Sequence, residues 1–216
     1  IEQEQACVEL DLCRVRALRK QGKIEELRGD YPAALRLVRE ASEVVARLSG
    51  GNRDQEQVRV LSQLSWLYVC SGDYDRAMKI SGEGLSLTGD EEKTAEHALF
   101  FCSIGSASLC RGDIEQSLEF HRRSLEIRED LEDVPAVINS LNALSEVHLV
   151  AGKPVEALSL AAQGLEMATE LGDQPGRALS LHREAAAYLL CGDLEGARER
   201  VEASLEISQQ QRMKFL

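Results

Sequence analysis

The stretch Ser71-Gly72-Asp73-Tyr74-Asp75-Arg76-Ala77, SGDYDRA, sets a glycine and an acid inside an otherwise apolar, helical passage. RGDIEQS from Arg111, AGKPVEA from Ala151 and CGDLEGA from Cys191 each follow the previous copy by 40 residues. RGDYPAA from Arg28 precedes the first by 43. A catalytic or phosphate-binding loop is rarely needed five times, so the stretch reads as a joint. A fixed period of this size is the mark of a solenoid or array.

The recurrence extends beyond the turn. Leu61, Phe101, Leu141 and Leu181 stand eleven residues before the glycine, and Val69, Leu109, Leu149 and Leu189 stand three before it. Small residues, Ala77, Ser117, Ala157 and Ala197, follow it by five, and Leu85, Leu125, Leu165 and Leu205 by thirteen. Apolar residues within a unit recur at i, i+3, i+4 and i+7, the helical period. Each unit therefore reads as helix, tight turn, helix. The glycine suits the left-handed residue that ends the first helix. Asp30, Asp73, Asp113 and Asp193 suit the N-cap of the second. Lys153 departs from that pattern, and Pro154 offers a favourable first helical residue instead.

These residues resemble the tetratricopeptide repeat. The likeness is clearest in LSWLYVCSGDYDRAMKISGEGL and in LRKQGKIEELRGDYPAALRL, where Gly22 stands seven before Gly29, and AAAYLLCGDLEGARERVEASL also fits. Ser108 and His148 stand where Tyr68 and Tyr188 stand in other units, so the third and fourth are looser. The family's usual period is 34 residues, so a period of 40 implies helices longer by about a turn, as in the longer-repeat subclass. HEAT repeats share the period but lack a recurrent Gly-Asp turn. The expected fold is all-α: an α-α superhelix of five helix-turn-helix repeats near 2–48, 53–88, 92–130, 134–171 and 174–212. Its ten helices are expected near 2–27, 31–48, 53–70, 74–87, 92–110, 114–129, 134–150, 154–170, 174–190 and 194–212. A single array over 1–216 is expected.

Composition narrows the function. The formal charge is −12, which repels phosphate backbones, so neither nucleic acid nor an anionic membrane is an expected partner, whereas basic peptides or proteins are open. No run approaches 18 apolar residues, and the first ten residues lack the basic and apolar regions of a signal peptide. The chain starts at Ile1 with no methionine before Met78, which is read as an excised part of a longer protein. Six cysteines without a C-x-x-C pair read as reduced, small hydrophobes, from which a cytoplasmic setting is expected.

The resemblance also implies that the first helices line a concave groove. Carried over by offset from each glycine, the groove set holds Arg59, Ser62, Gln63 and Trp66, then Leu99, Cys102, Ser103 and Ser106. The fourth unit adds Asn139, Asn142, Ala143 and Glu146, and the fifth Leu179, His182, Arg183 and Ala186. These residues form either a ligand groove or an ordinary solvated face. Asn139 and Asn142 can each donate to and accept from a peptide backbone, and Arg59 and Arg183 can hold a carboxylate. Trp66 is either half-buried packing or an aromatic anchor. The lysine-and-asparagine clamp of some chaperone adaptors in this family is missing as a set.

Signals for chemistry are few. His97, His121, His148 and His182 fall on separate helices with no H-x-x-x-H spacing, and no G-x-G-x-x-G, phosphate-loop or G-x-S-x-G motif occurs. SGEGLSL from Ser81 lies inside a second helix, and its Gly84 shares an offset with Ser124, Gly164 and Ser204, as small packing residues would. Neither a metal, a cofactor nor an enzymatic role is expected. The resulting function is a protein- or peptide-binding scaffold that could also self-associate through its ends. The other reading is a sensor module of a bacterial signalling protein, such as an ATPase-type transcription activator or a nucleotide cyclase.

Overall fold

The computed structural model describes residues 2–48, 52–89 and 93–210, with side chains from residue 8 onward except at 52. Among the described residues there are ten α-helices and no strand. They are α1 (Glu2–Leu27), α2 (Tyr31–Arg47), α3 (Asn52–Cys70), α4 (Tyr74–Leu87), α5 (Ala95–Cys110), α6 (Ile114–Asp130), α7 (Val134–Val150), α8 (Pro154–Leu171), α9 (Gln174–Leu190) and α10 (Leu194–Gln210). The bounds agree with expectation to within a residue or two, apart from α5, which starts three residues late. Predicted ends at 92 and 212 fall outside the described residues. The chain divides into two compact units, residues 1–110 and 111–216.

The recurring turn does what its residues suggest. Gly72 has φ +79°, and its N–H donates to Val69 O while Asp73 N–H donates to Tyr68 O at 2.9 Å. That crossed pair closes the last carbonyls of α3 and needs a left-handed residue, which glycine adopts without strain. Asp73 Oδ1 then accepts from Arg76 N–H at 3.2 Å and starts α4. Asp30, Asp113 and Asp193 cap in the same way through Ala33, Gln116 and Gly196. Lys153 makes no side-chain cap, as expected, and Pro154 follows it.

The same turn also joins one repeat to the next. Leu131-Glu132-Asp133 closes α6, with Asp133 N–H donating to Arg128 O and Asp133 Oδ1 accepting from Ala136 N–H. Here Glu132 occupies the left-handed position, at φ +54°, where a side chain is strained. Glu132→Gly is therefore expected to stabilise the second unit by about 1 kcal/mol, less glycine's larger unfolded-state entropy. Urea midpoints of the two proteins check it.

Packing explains the other recurrent positions. Ala77, Ser117 and Ala157 are fully buried, and Ala197 nearly so. Seven residues before the turn glycine, Ser65 Oγ donates to Ala77 O at 3.3 Å and Ser145 Oγ to Ala157 O at 2.8 Å. These small serines therefore sit where the two helices of a pair come closest. Gly22 holds the same offset, and a Cβ there would strike Val38 Cγ2. Twelve residues after the turn glycine, Gly84 lies under the Phe100 ring and Gly164 against Ser180. The expectation that these are packing glycines is met.

In the first unit α1, α2, α3, α4 and α5 pack consecutively, and α1 also touches α3 and α3 touches α5. In the second, α6 to α10 pack consecutively and α7 touches α9. Among the described residues no second helix of a pair touches the next second helix. The first helices of each unit thus share one surface.

Candidate partner-binding face

In the first unit this surface is laced by ion pairs at recurring offsets. Arg16 and Arg59 each stand thirteen before their turn glycine, and Glu56 and Glu96 sixteen before theirs. Arg16 Nε donates to Glu56 Oε1 at 2.8 Å, from α1 to α3. Arg59 Nε pairs with Glu96 Oε1 at 3.5 Å, from α3 to α5. Glu56 is only 1% exposed and also holds Arg19 Nη1 at 3.4 Å and Arg59 Nη1 at 3.1 Å. A carboxylate taken out of water requires such partners. Burial lowers the Arg19 guanidinium from its ordinary value, and the neighbouring Glu56 charge opposes that shift. Gln63 Nε2 donates to Arg19 O at 3.1 Å, so the α1–α3 junction is fixed by polar contacts as well as apolar ones.

The sequence-derived set divides on this surface. Arg59, Gln63, Trp66 and Ser106 are half-buried, with part of each side chain open. Ser62 and Cys102 are buried, and Ser62 Oγ donates back to Arg59 O at 3.0 Å. In the second unit Asn139 and His182 are exposed, and Arg183 Nη2 meets Glu146 Oε2 at 2.7 Å, linking α7 to α9. Asn142 requires a correction. It is 1% exposed, and its Nδ2 donates to Ile138 O at 3.0 Å and to Ser180 Oγ at 2.9 Å. Asn142 thus points to α9, and Ser62 and Cys102 are buried, so none of the three presents a polar group to a ligand. Leu99, Ala143, Leu179 and Ala186 are half-buried, and Ser103 is fully buried.

Reasoning from Gly72 onward missed Arg16, Arg19, Glu56 and Glu96. Counting the same groove offsets back from Gly29 gives Arg16, Arg19, Lys20 and Lys23, all cationic. The signal was present in the sequence. The 43-residue first interval hid it.

Other polar clusters are structural. His97 sits between Thr88 Oγ1 at 2.7 Å and Thr94 Oγ1 at 2.8 Å. Cys70 has its thiol pushed up to about 12, first by burial and then by Glu26, which keeps it a poor nucleophile. Among the described residues no group of three His, Cys, Asp or Glu side chains is placed to hold a metal.

The family model described as tetratricopeptide repeat matches residues 14–88 and 96–170, together more than half of the chain. The chain belongs to the tetratricopeptide-repeat family. Such arrays are in general non-catalytic protein-interaction scaffolds. No curated protein matches the sequence. Among solved structures the chain is similar to BtubC (BKLC) from P. vanneervenii, at 19% identity and a TM-score of 0.74, covering 98% of this chain and 87% of that one. It also resembles a Rap protein complexed with Competence and Sporulation Factor, at 14% identity and a TM-score of 0.82, over 91% of this chain and 54% of that one. A third likeness is to a signal transduction ATPase with numerous domains and a tetratricopeptide repeat sensor from Pyrococcus horikoshii. There identity is 17% and the TM-score 0.72, over 92% of this chain and 30% of that one. At these identities the likeness is one of fold. Among the described residues no helix is long and apolar enough to cross a membrane.

Proposed function

We propose that this chain is a non-catalytic scaffold that binds a protein or peptide along the first-helix faces of its two units. The observation that carries the reading is the polar surface shared by α7 and α9, where Asn139 and His182 are exposed and Arg183 of α9 pairs with Glu146 of α7. Neither Asn139 nor His182 is needed for packing, and both can exchange hydrogen bonds with a peptide backbone or side chain. The first unit by itself carries a surface of the same type, at Arg59, Gln63 and Trp66. The partner is a polypeptide on this reading, in keeping with the general use of tetratricopeptide arrays as protein-interaction scaffolds.

Asn139→Ala combined with His182→Ala is expected to weaken capture of the native partner at least about tenfold while leaving the melting curve unchanged, because both side chains are exposed. Affinity capture beside circular dichroism checks it. Unchanged capture would contradict the reading.

A second reading makes the array a sensor within a larger signalling protein. It is supported by two of the fold neighbours, a Rap protein and a sensor-bearing ATPase, in which the matched array is about half and less than a third of the chain. An output domain encoded beside this segment is the observation that favours it. Cytoplasmic location belongs to the same proposal. So does self-association through the apolar faces of α1 and α10, where Leu27 and Leu194 are 76% and 69% exposed, with concentration-dependent sedimentation as its readout.

A further inference from the structure

We propose that the first-helix face of unit 1 is an anion receptor that takes an acidic peptide segment. The inference rests on the reading of that face as a partner surface and names the chemistry it selects. Arg16, Arg19, Lys20 and Lys23 occupy the four groove offsets of α1, and Arg59 the first of α3. The carboxylates paired with them are Glu56, Glu96 and Glu26, so cations are in excess. That excess stands in a chain whose total charge is −12. A ligand lying on the face feels the local charge, because fields from more distant exposed groups are screened within about 8 Å at physiological salt.

The guanidiniums are held in place but not used up. Arg16 gives only its Nε–H to Glu56, and its side chain is half exposed. Arg19 gives one Nη1–H at a long 3.4 Å, and its Nε is buried with no hydrogen-bond partner. Arg59 divides its donors between Glu56 and Glu96. The buried carboxylate of Glu56 therefore orients the guanidiniums of Arg16 and Arg59, whose remaining N–H groups match a carboxylate from outside, while Arg19 holds Glu56 from the covered side. Such a preorganised donor set lowers the ordering cost of binding. Trp66, on α3 one turn beyond Gln63, supplies an apolar surface on the same helix. The local charge favours an acidic partner, where the net charge alone had left basic ones open.

The test uses the whole chain and a rhodamine-labelled decapeptide rich in Glu and Asp, read by anisotropy and by emission of the single tryptophan. The acidic peptide is expected to bind, to weaken about tenfold as sodium chloride rises from about 0.05 to 0.5 M, and to lose a further five- to tenfold with Lys20→Gln plus Lys23→Gln. Both lysines are exposed, so the fold is kept, and Arg16→Gln adds a guanidinium variant with the same expected direction. Lys79→Gln, on an exposed side of α4, is expected to change nothing. Equal or tighter binding of a lysine-rich decapeptide overturns the proposal. So does an unchanged affinity in both the lysine pair and Arg16→Gln, or tighter binding of a ten-nucleotide single strand. If the acidic peptide fails while Asn139→Ala plus His182→Ala still loses its partner, the anionic chemistry falls and the partner face stands.

Discussion

Phe100→Ala is expected to lower the stability of the first unit by about 3–5 kcal/mol, the range for truncating a fully buried aromatic ring. Phe100 has no exposed surface and packs with Val58 and Leu61, and Ile80 and Leu85 of α4 lie against that cluster. The ring fits because Gly84 of α4 has no side chain: a Cβ there would lie inside it. The reciprocal change, Gly84→Val, is expected to cost about 2–3 kcal/mol, since overpacking against a rigid ring outweighs the helix propensity gained. Urea unfolding followed at 222 nm, with Trp66 emission reporting the first unit, checks both. A loss below about 1 kcal/mol for Phe100→Ala would mean that the α4–α5 junction is not packed as described.

Acidification has its largest single expected effect at His121. This residue is 2% exposed on α6, and its Nδ1 has no hydrogen-bond partner. Burial lowers its pKa from 6.5 to about 4, with the nearby Arg128 cation adding to the shift. Arg128 cannot turn away freely, because its Nη1 donates to Ala136 O at 3.0 Å and to Ser140 Oγ at 2.7 Å. The folded value lies below the unfolded one, so the unfolded chain binds the proton more tightly. The contribution is complete above pH 6.5 and is lost as pH falls from 6.5 through 4, amounting to about 3 kcal/mol in order of magnitude. Denaturant midpoints across that range should therefore drop more steeply in the native protein than in His121→Leu. Parallel curves would show that His121 is already solvated in the fold.

The fold was legible in the sequence because its punctuation repeats. A left-handed glycine followed by an aspartate is a local requirement, met by backbone geometry alone, and it recurs at Gly29, Gly72, Gly112 and Gly192. The linking turn at Glu132 was legible only as an interruption, because the residue at φ +54° is not the one that position favours. The face was half legible. Offsets from the glycine identified Arg59, Gln63, Asn139, Glu146 and Arg183 as lying on it. They could not separate a side chain open to solvent from one covered by the next repeat, since that depends on what stands across the groove. Asn142 is covered by Ser180 of α9, whereas His182, with no described first helix beyond it, is exposed. The Arg16–Glu56–Arg59–Glu96 ladder joins residues 40 and 37 positions apart along its two inter-helix links, and only the side-by-side first helices show them as neighbours.

Site-resolved crosslinking tests the partner face most directly. A benzophenone side chain is placed at Lys20 or Asn139 on first helices, and at Lys79 or Ser159 on second helices, all exposed positions. Irradiation with the native partner bound is predicted to give adducts from Lys20 and Asn139 and none from Lys79 and Ser159. Adducts confined to Lys79 and Ser159 would place the partner on the second-helix side and contradict the assignment of the first-helix faces as its binding surface.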